Sequence, residues 1–272
     1  MRAEALLAIE FSVQAGFKNL KEFLEAEYLP NLRPDIAVTS LPEIGEQFYA
    51  QCLKFHTSTN MTVDDIHELG LSEVDRIESE MRRIVEELGY DNLTLQQFTE
   101  MIRNDPNNYY DSPEALLDGF KDILENRVNP QLLTLFLDTP EAELIIQGVP
   151  ESAANGPAAF YIAGSLDGKR PGTFYVNTYK YNSQPKYEMV SLSMHEGNPG
   201  HHFQASYQLE QEEFPTFRKV MEDRIYSQSP SRFPINTAYV EGWGLYSETL
   251  GFDLDLYSDP MDRFGHLRYL VD

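Results

Sequence analysis

One proline-glycine step decides how the middle of this chain can fold. It lies in His195-Glu-Gly-Asn-Pro-Gly-His201-His202, a window holding three of the six histidines. An apolar segment with Met189, Val190, Leu192 and Met194 precedes it, and Phe203, Ala205 and Tyr207 follow. Both flanks suit a helix. Proline removes a backbone donor and clashes with the preceding turn, and glycine accepts dihedrals that other residues avoid. The backbone must therefore leave the helix here and re-enter it, presenting histidines from both sides of a break.

A histidine-glutamate pair followed by further histidines is the residue set of zinc hydrolases. Neutral imidazoles hold the ion, and the neighbouring glutamate activates a water. On an unbroken helix the two histidines of the short motif are four apart, about 40° around the axis. His195 and His201 are six apart, roughly 120° off one face. His195 and His202 are seven apart and share a face, but they are about 10.5 Å apart along the axis. Each ligand nitrogen must stand about 2.0–2.1 Å from one ion, so an unbroken helix presents neither pair. If two residues bulge at Pro199-Gly200, His201 takes the ligand position; if three do, His202 takes it. We favour His201 and give His202 a supporting or substrate-facing role.

The third ligand is sought in Glu241-Gly-Trp-Gly-Leu-Tyr-Ser-Glu248, whose two carboxylates are seven apart on one helical face and flank the only tryptophan, Trp243. Glu241 is taken as the ligand. Glu248 is taken as a group that orients a ligand imidazole or as a charge at the rim. His56, His67 and His266 read as ordinary polar or half-buried histidines.

Composition narrows the rest. The 44 acidic against 21 basic side chains give a net charge of −23, which disfavours nucleic acid and anionic membrane surfaces as partners. The lone Cys52 rules out an internal disulfide framework and a multi-cysteine zinc site. No apolar run approaches the 18 or so residues of a membrane span. The start, MRAEALLAIEF, lacks the form of a secretory signal, and the compartment stays open.

The chain reads as mainly α with a small, antiparallel sheet beside the metal-site helix. Residues 1–138 are read as a helical region. Thr62 opens a stripe of Ile66, Leu69, Val74, Ile77, Met81, Ile84, Val85 and Leu88, taken as core, with Gly89 as the stop. Thr94 and the Ser112-Pro113-Glu114 start open two more amphipathic helices. Residues 139–272 are read as the sheet plus the metal-site helices, with only a soft boundary near 138. Glu143–Val149 is a short apolar run. Ala158–Ala163 and Gly172–Tyr179 are rich in β-formers, with turn signals at Asp167-Gly168 and Pro171-Gly172. Helical patterning resumes at Met189, interrupted by loops near Ser229–Pro234 and Ser258–Pro260.

At these residues the chain resembles a known family, domain of unknown function 885. Its marks are a His-Glu-x-x-Pro-Gly-His-x-x-Gln segment, here HEGNPGHHFQ (His195–Gln204), and a later Glu-Gly-Trp-x-x-Tyr-x-Glu segment, here EGWGLYSE (Glu241–Glu248). DGKRPGTFYVNTY (Asp167–Tyr179) and TVDDIHELGLSEVDRIESEM (Thr62–Met81) also resemble family segments, so the likeness covers most of the chain. The resemblance implies a zinc metallopeptidase of gluzincin-like architecture. It implies His195, His201 and Glu241 as zinc ligands and Glu196 as general base. The residue at the place of His202 is often not histidine in the family. Members are longer, and relatives continue past the last residues of this chain into a helical region expected to complete the cleft.

The expectation is therefore a zinc-dependent hydrolase cleaving peptides. The segment Gly172–Tyr179 would offer a strand edge to an extended peptide. Tyr175, Asn177, Tyr179, Tyr239 and Tyr246 are weaker candidates for substrate contacts. The rivals are a metal-holding scaffold that binds peptides or a protein, a metal-free helical interaction protein, and a hydrolase of non-peptide amides or esters.

Overall fold

Three helices begin at caps visible in the sequence. Thr62 opens α4 (Val63–Glu87) and Thr94 opens α5 (Leu95–Arg103), each with a reciprocal capping box. Ser112 accepts from the Ala115 amide at 3.1 Å and opens α6 (Pro113–Asp122). The computed structural model describes residues 2–219, 227–228, 231–232 and 236–271.

The chain forms two units, Met1–Cys52 and Leu53–Asp272. The first is a helical run containing α1 (Arg2–Ala8) and α2 (Ala15–Phe23), with wider turns at Ile9–Gln14 and Leu24–Tyr28. None of these four segments has a buried residue. Helix α3 (Gly45–Thr57) follows along the chain.

The second unit holds the remaining helices and a three-stranded sheet. Its strands are β1 (Leu144–Gly148), β2 (Ala159–Ile162) and β3 (Gly172–Val176), in the order β1-β3-β2. The expected antiparallel sheet is corrected here to a mixed one. β2 and β3 pair antiparallel, Tyr161 opposite Phe174, whereas β1 pairs parallel to β3, Ile146 opposite Phe174. The cause lies in the connections. β2 returns directly into β3 through the Asp167-Gly168 turn. The chain after β1 crosses to the far side of β3 before β2 begins, so β1 and β3 run in one direction. β3 is the middle strand, with four of its five residues buried.

One core gathers Leu116, Phe120 and Leu124 from α6 and its continuation, Phe174 and Val176 from β3, and Val190, Leu192 and Met194 from α7 (Met189–Glu196). Every residue of α7 is buried, the condition of a helix through the middle of a protein. A second core joins Ile77, Met81, Ile84 and Val85 of α4 to Phe98 and Ile102 of α5 and to Phe264 and Leu267 of α11 (Pro260–Val271). The stripe on α4 is thus core only in its second half. Leu69 and Val74 are exposed, because α5 and α11 cover the helix from Ile77 onward.

After α7 come α8 (His201–Glu210), α9 (Thr216–Lys219), a two-stranded ribbon of β4 (Ser227–Gln228) and β5 (Ser231–Arg232), and α10 (Thr237–Asp253). Most of the loop expected at Ser229–Pro234 lies outside the described residues. Ser258 and Asp259 lie in a loop before α11, as expected.

Candidate metal centre

α7 ends at Glu196 and α8 begins at His201, so residues 197–200 form the break. The turn closes tightly under the end of α7. A Cβ on Gly200 would collide with the carbonyls of Met194 and His195, so only glycine fits. From the other side the Trp243 indole N–H donates to the Pro199 carbonyl at 2.8 Å, tying the turn to α10. This reversal brings the His201 ring back to His195. Their centroids stand 4.6 Å apart, nearly perpendicular at 84°.

α10 supplies the carboxylate. Glu241 Oε2 lies 3.4 Å from His195 Nε2 and 3.5 Å from His201 Nε2. One ligand atom from each of the three residues falls within 4.8 Å of the others. Ligands about 2.0–2.1 Å from a tetrahedral ion stand about 3.3–3.4 Å apart, so the carboxylate distances suit a zinc-sized cation. The donor chemistry suits it too. Burial, helped by the neighbouring His195, holds His201 below its ordinary pKa and so keeps it neutral.

The i, i+3, i+7 face of α10 cradles His195. Glu241 faces Nε2, Glu248 accepts from Nδ1–H at 2.8 Å, and Gly244 lies under the ring. A Cβ at 244 would stand 2.7 Å from the imidazole Cε1. The bond to Glu248 fixes the tautomer, leaving the Nε2 lone pair toward His201 and Glu241. Burial works against a charged His195, but Glu248 first, then Glu196 and Glu241, outweigh it and raise its pKa. The carboxylates make this a place that favours positive charge.

Glu248 is completely buried. Its Oε2 accepts from Ser191 Oγ at 2.7 Å, and His266 Nδ1 stands 2.9 Å from that hydroxyl. With the Ser191 proton committed to Glu248, His266 Nδ1–H is the donor to Ser191. Burial pushes the Glu248 carboxyl up, yet hydrogen bonds from His195, His266 and Ser191 overcome it and bring its pKa below the ordinary value. Tyr257 closes the network by donating to the Glu248 carbonyl at 3.0 Å. Glu248 is therefore no rim charge.

His266 corrects the sequence reading: it is 2% exposed and part of this network, not an ordinary half-buried histidine. No motif marks it. Ser191 could have been found, since a serine four residues before His195 on the same helix shares its face.

Glu196 is buried beside the cluster, and among the described residues its Oε2 has no hydrogen-bond partner. Burial raises its pKa to about 7 against the opposing pull of His195. His202 does not join the cluster. Its Nε2 meets the Ala142 carbonyl at 3.1 Å and its Nδ1 the Tyr161 hydroxyl at 3.1 Å. Asn177 is buried with its amide on the carbonyls of Ala154, Gly156 and Pro157, so it holds a loop and is withdrawn as a substrate contact. Tyr175 stacks on Phe160, and Tyr246 leans on Trp243. Tyr179 is exposed. Tyr239 lines a cavity of about 1070 Å³ that His201 and Glu241 also line, with Tyr161, Gln204 and Phe217 among its other walls.

The family described as "Bacterial protein of unknown function (DUF885)" matches residues 1–271. No curated protein matches. Among solved structures, a "putative lipoprotein" from Colwellia psychrerythraea superposes with a TM-score of 0.86 at 27% identity, over 97% of this chain and 43% of its own. A "putative lipoprotein of unknown function" from Shewanella oneidensis gives a TM-score of 0.58 at 20% identity, over 84% of this chain and 41% of its own, a likeness of fold. The chain thus spans less than half the length of these relatives. Among its described residues no helix is long and apolar enough to cross a membrane.

Proposed function

The chain belongs to the DUF885 family, and from that premise we propose that it is a zinc-dependent hydrolase of gluzincin-like architecture that cleaves peptides. One observation carries the reading: His195, His201 and Glu241 converge beside a buried glutamate that has an unpartnered oxygen. His195, His201 and Glu241 would hold the ion. Bound there, zinc supplies Lewis acidity for the scissile carbonyl and makes a nearby water more acidic.

The chain's own groups do the rest. Glu248, backed by Ser191 and His266, keeps the His195 proton on Nδ1. Glu196 takes a proton from the attacking water as its oxygen bonds to the carbonyl carbon. It then delivers that proton to the amine as the C–N bond breaks. A buried carboxylate with a free oxygen beside the cluster is placed to make both transfers.

The strand that would receive an extended peptide is β2. The sequence suggested the Gly172–Tyr179 segment, but β3 has both edges taken, by β1 and β2. β2 is an outer strand of this sheet, and Tyr161, within it, also lines the cavity.

The test pairs metal analysis with one substitution. The purified protein should hold about one zinc per chain. Glu196→Gln should keep the zinc and lose turnover of a peptide library by about 10²–10⁴-fold. Full activity in that variant, or no zinc in the wild type, overturns the reading. Zinc and peptide binding without cleavage in the wild type would favour a metal-holding scaffold.

A further inference from the structure

The cavity beside His201 and Glu241 has a charge pattern opposite to that of the chain. Acidic side chains outnumber basic ones 44 to 21 in the sequence, yet the cavity wall carries two cations, Arg218 and Lys219, and one carboxylate. That carboxylate is Glu241, already part of the histidine cluster. Among the described residues the charged lining away from the cluster is therefore basic. Among the described residues neither cation has an acidic partner. The Arg218 guanidinium lies over the Phe214 ring at 5.2 Å, and Lys219 Nζ donates to the Leu209 carbonyl at 3.2 Å. Among the described residues the Arg218 guanidinium donors have no partner, and the Lys219 ammonium has two hydrogens left after its bond to Leu209.

Other walls of the cavity are of a different kind. Leu209, Phe217 and Val240 are apolar, and Gln204 is occupied with the Tyr239 carbonyl. A ligand that fits would have an apolar body and an anionic end, with its reacting bond at the histidine end. A planar carboxylate matches a guanidinium fork in a two-point contact, and the ammonium adds a point charge.

We propose that this cavity binds a free carboxylate of the substrate through Arg218 and Lys219. The inference rests on the peptidase reading and narrows it to peptides carrying a carboxylate close to the cleaved bond. Two sources share that chemistry: the C-terminus of a short peptide and an acidic side chain.

The experiment uses zinc-loaded protein and matched N-acetylated peptides. One pair differs by a C-terminal acid against amide, the other by Glu against Gln near the C-terminus. The acid member should be preferred about tenfold or more in kcat/KM, the low end for hydrogen bonds to a charged group. Preference confined to the first pair identifies the C-terminal carboxylate, and preference confined to the second identifies the side chain. In the double variant Arg218→Gln, Lys219→Gln the preference should fall to within about twofold. Lys169→Gln, which removes an exposed charge outside the cavity, should leave it intact and so controls for net charge. Equal use of both members in both pairs, or a preference that survives the double variant, overturns the proposal.

If the wild type cleaves none of these peptides, the peptidase reading fails separately. The same pairs are then titrated calorimetrically into Glu196→Gln protein. Tighter binding of the acid member that disappears when Arg218→Gln and Lys219→Gln are added supports the carboxylate site, and equal binding overturns it.

Discussion

Glu241 and Glu248 are the same residue type on the same helix, seven positions apart, and they face opposite nitrogens of one imidazole. Their surroundings differ in every other respect. The Glu241 side chain is 52% exposed and borders the cavity, whereas that of Glu248 is fully buried under α7 and α11. Glu248 accepts from His195 and Ser191, and His266 backs Ser191 from 2.9 Å. A carboxylate with its donor set complete can hold a ring in place but has nothing left to offer a cation. A carboxylate with one side open can. Position on the helix assigns both to His195, and burial divides their work.

Stability of the metal-free protein should separate the two sides, and the largest effect belongs to the sealed one. Glu248→Ala strands the His195 and Ser191 donors in a dry interior. Breaking a buried, hydrogen-bonded charge pair costs about 3–5 kcal/mol, which denaturant titration would measure. A loss under about 1 kcal/mol would mean that the network carries no charge-pair energy and the contrast with Glu241 is only one of exposure. A smaller effect belongs to the floor between them. Gly244→Ala places a methyl about 2.7 Å from the His195 ring. Overpacking of this kind costs about 1–3 kcal/mol. Because the methyl meets the ring itself, zinc affinity should fall as well, which calorimetric titration of zinc would detect. A variant with unchanged stability and unchanged zinc affinity would show that α10 does not set the ring's place.

Much of this centre was legible before any coordinates. The Pro199-Gly200 break was readable because both residues act locally on the backbone, and the seven-residue spacing of Glu241 and Glu248 because helical periodicity is rigid. The caps at Thr62, Thr94 and Ser112 were readable for the same reason. What escaped was non-local. Nothing near His266 announces that α11 will place it against Ser191, 75 residues earlier. The mixed sheet escaped likewise, since the residues of β1 favour a strand without specifying its direction or neighbour. Leu69 and Val74 show the converse error: a correct helical stripe whose first half stays exposed among the described residues. Arg218 and Lys219 read as two charges among many until the fold set them in the wall of a cavity.

The smallest stability effect is expected at Glu241, and it tests the open side. Glu241→Gln leaves a half-exposed side chain of the same shape in place. The metal-free protein should therefore change by no more than about 0.5 kcal/mol, as surface substitutions do. Zinc should reveal the difference. In the wild type, free zinc at a hundred times its dissociation constant adds about 2.7 kcal/mol, because only the folded state assembles the three ligands. That increment should vanish on chelation and should be largely missing in Glu241→Gln at the same zinc concentration. Thermal melts of both proteins, with zinc and with chelator, read all four states. If the variant keeps the full zinc increment, Glu241 is not a ligand and the two carboxylates do not divide the work as argued. If it loses the increment but also melts early in chelator, Glu241 supports the fold as Glu248 does, and exposure does not tell the binding side from the holding side.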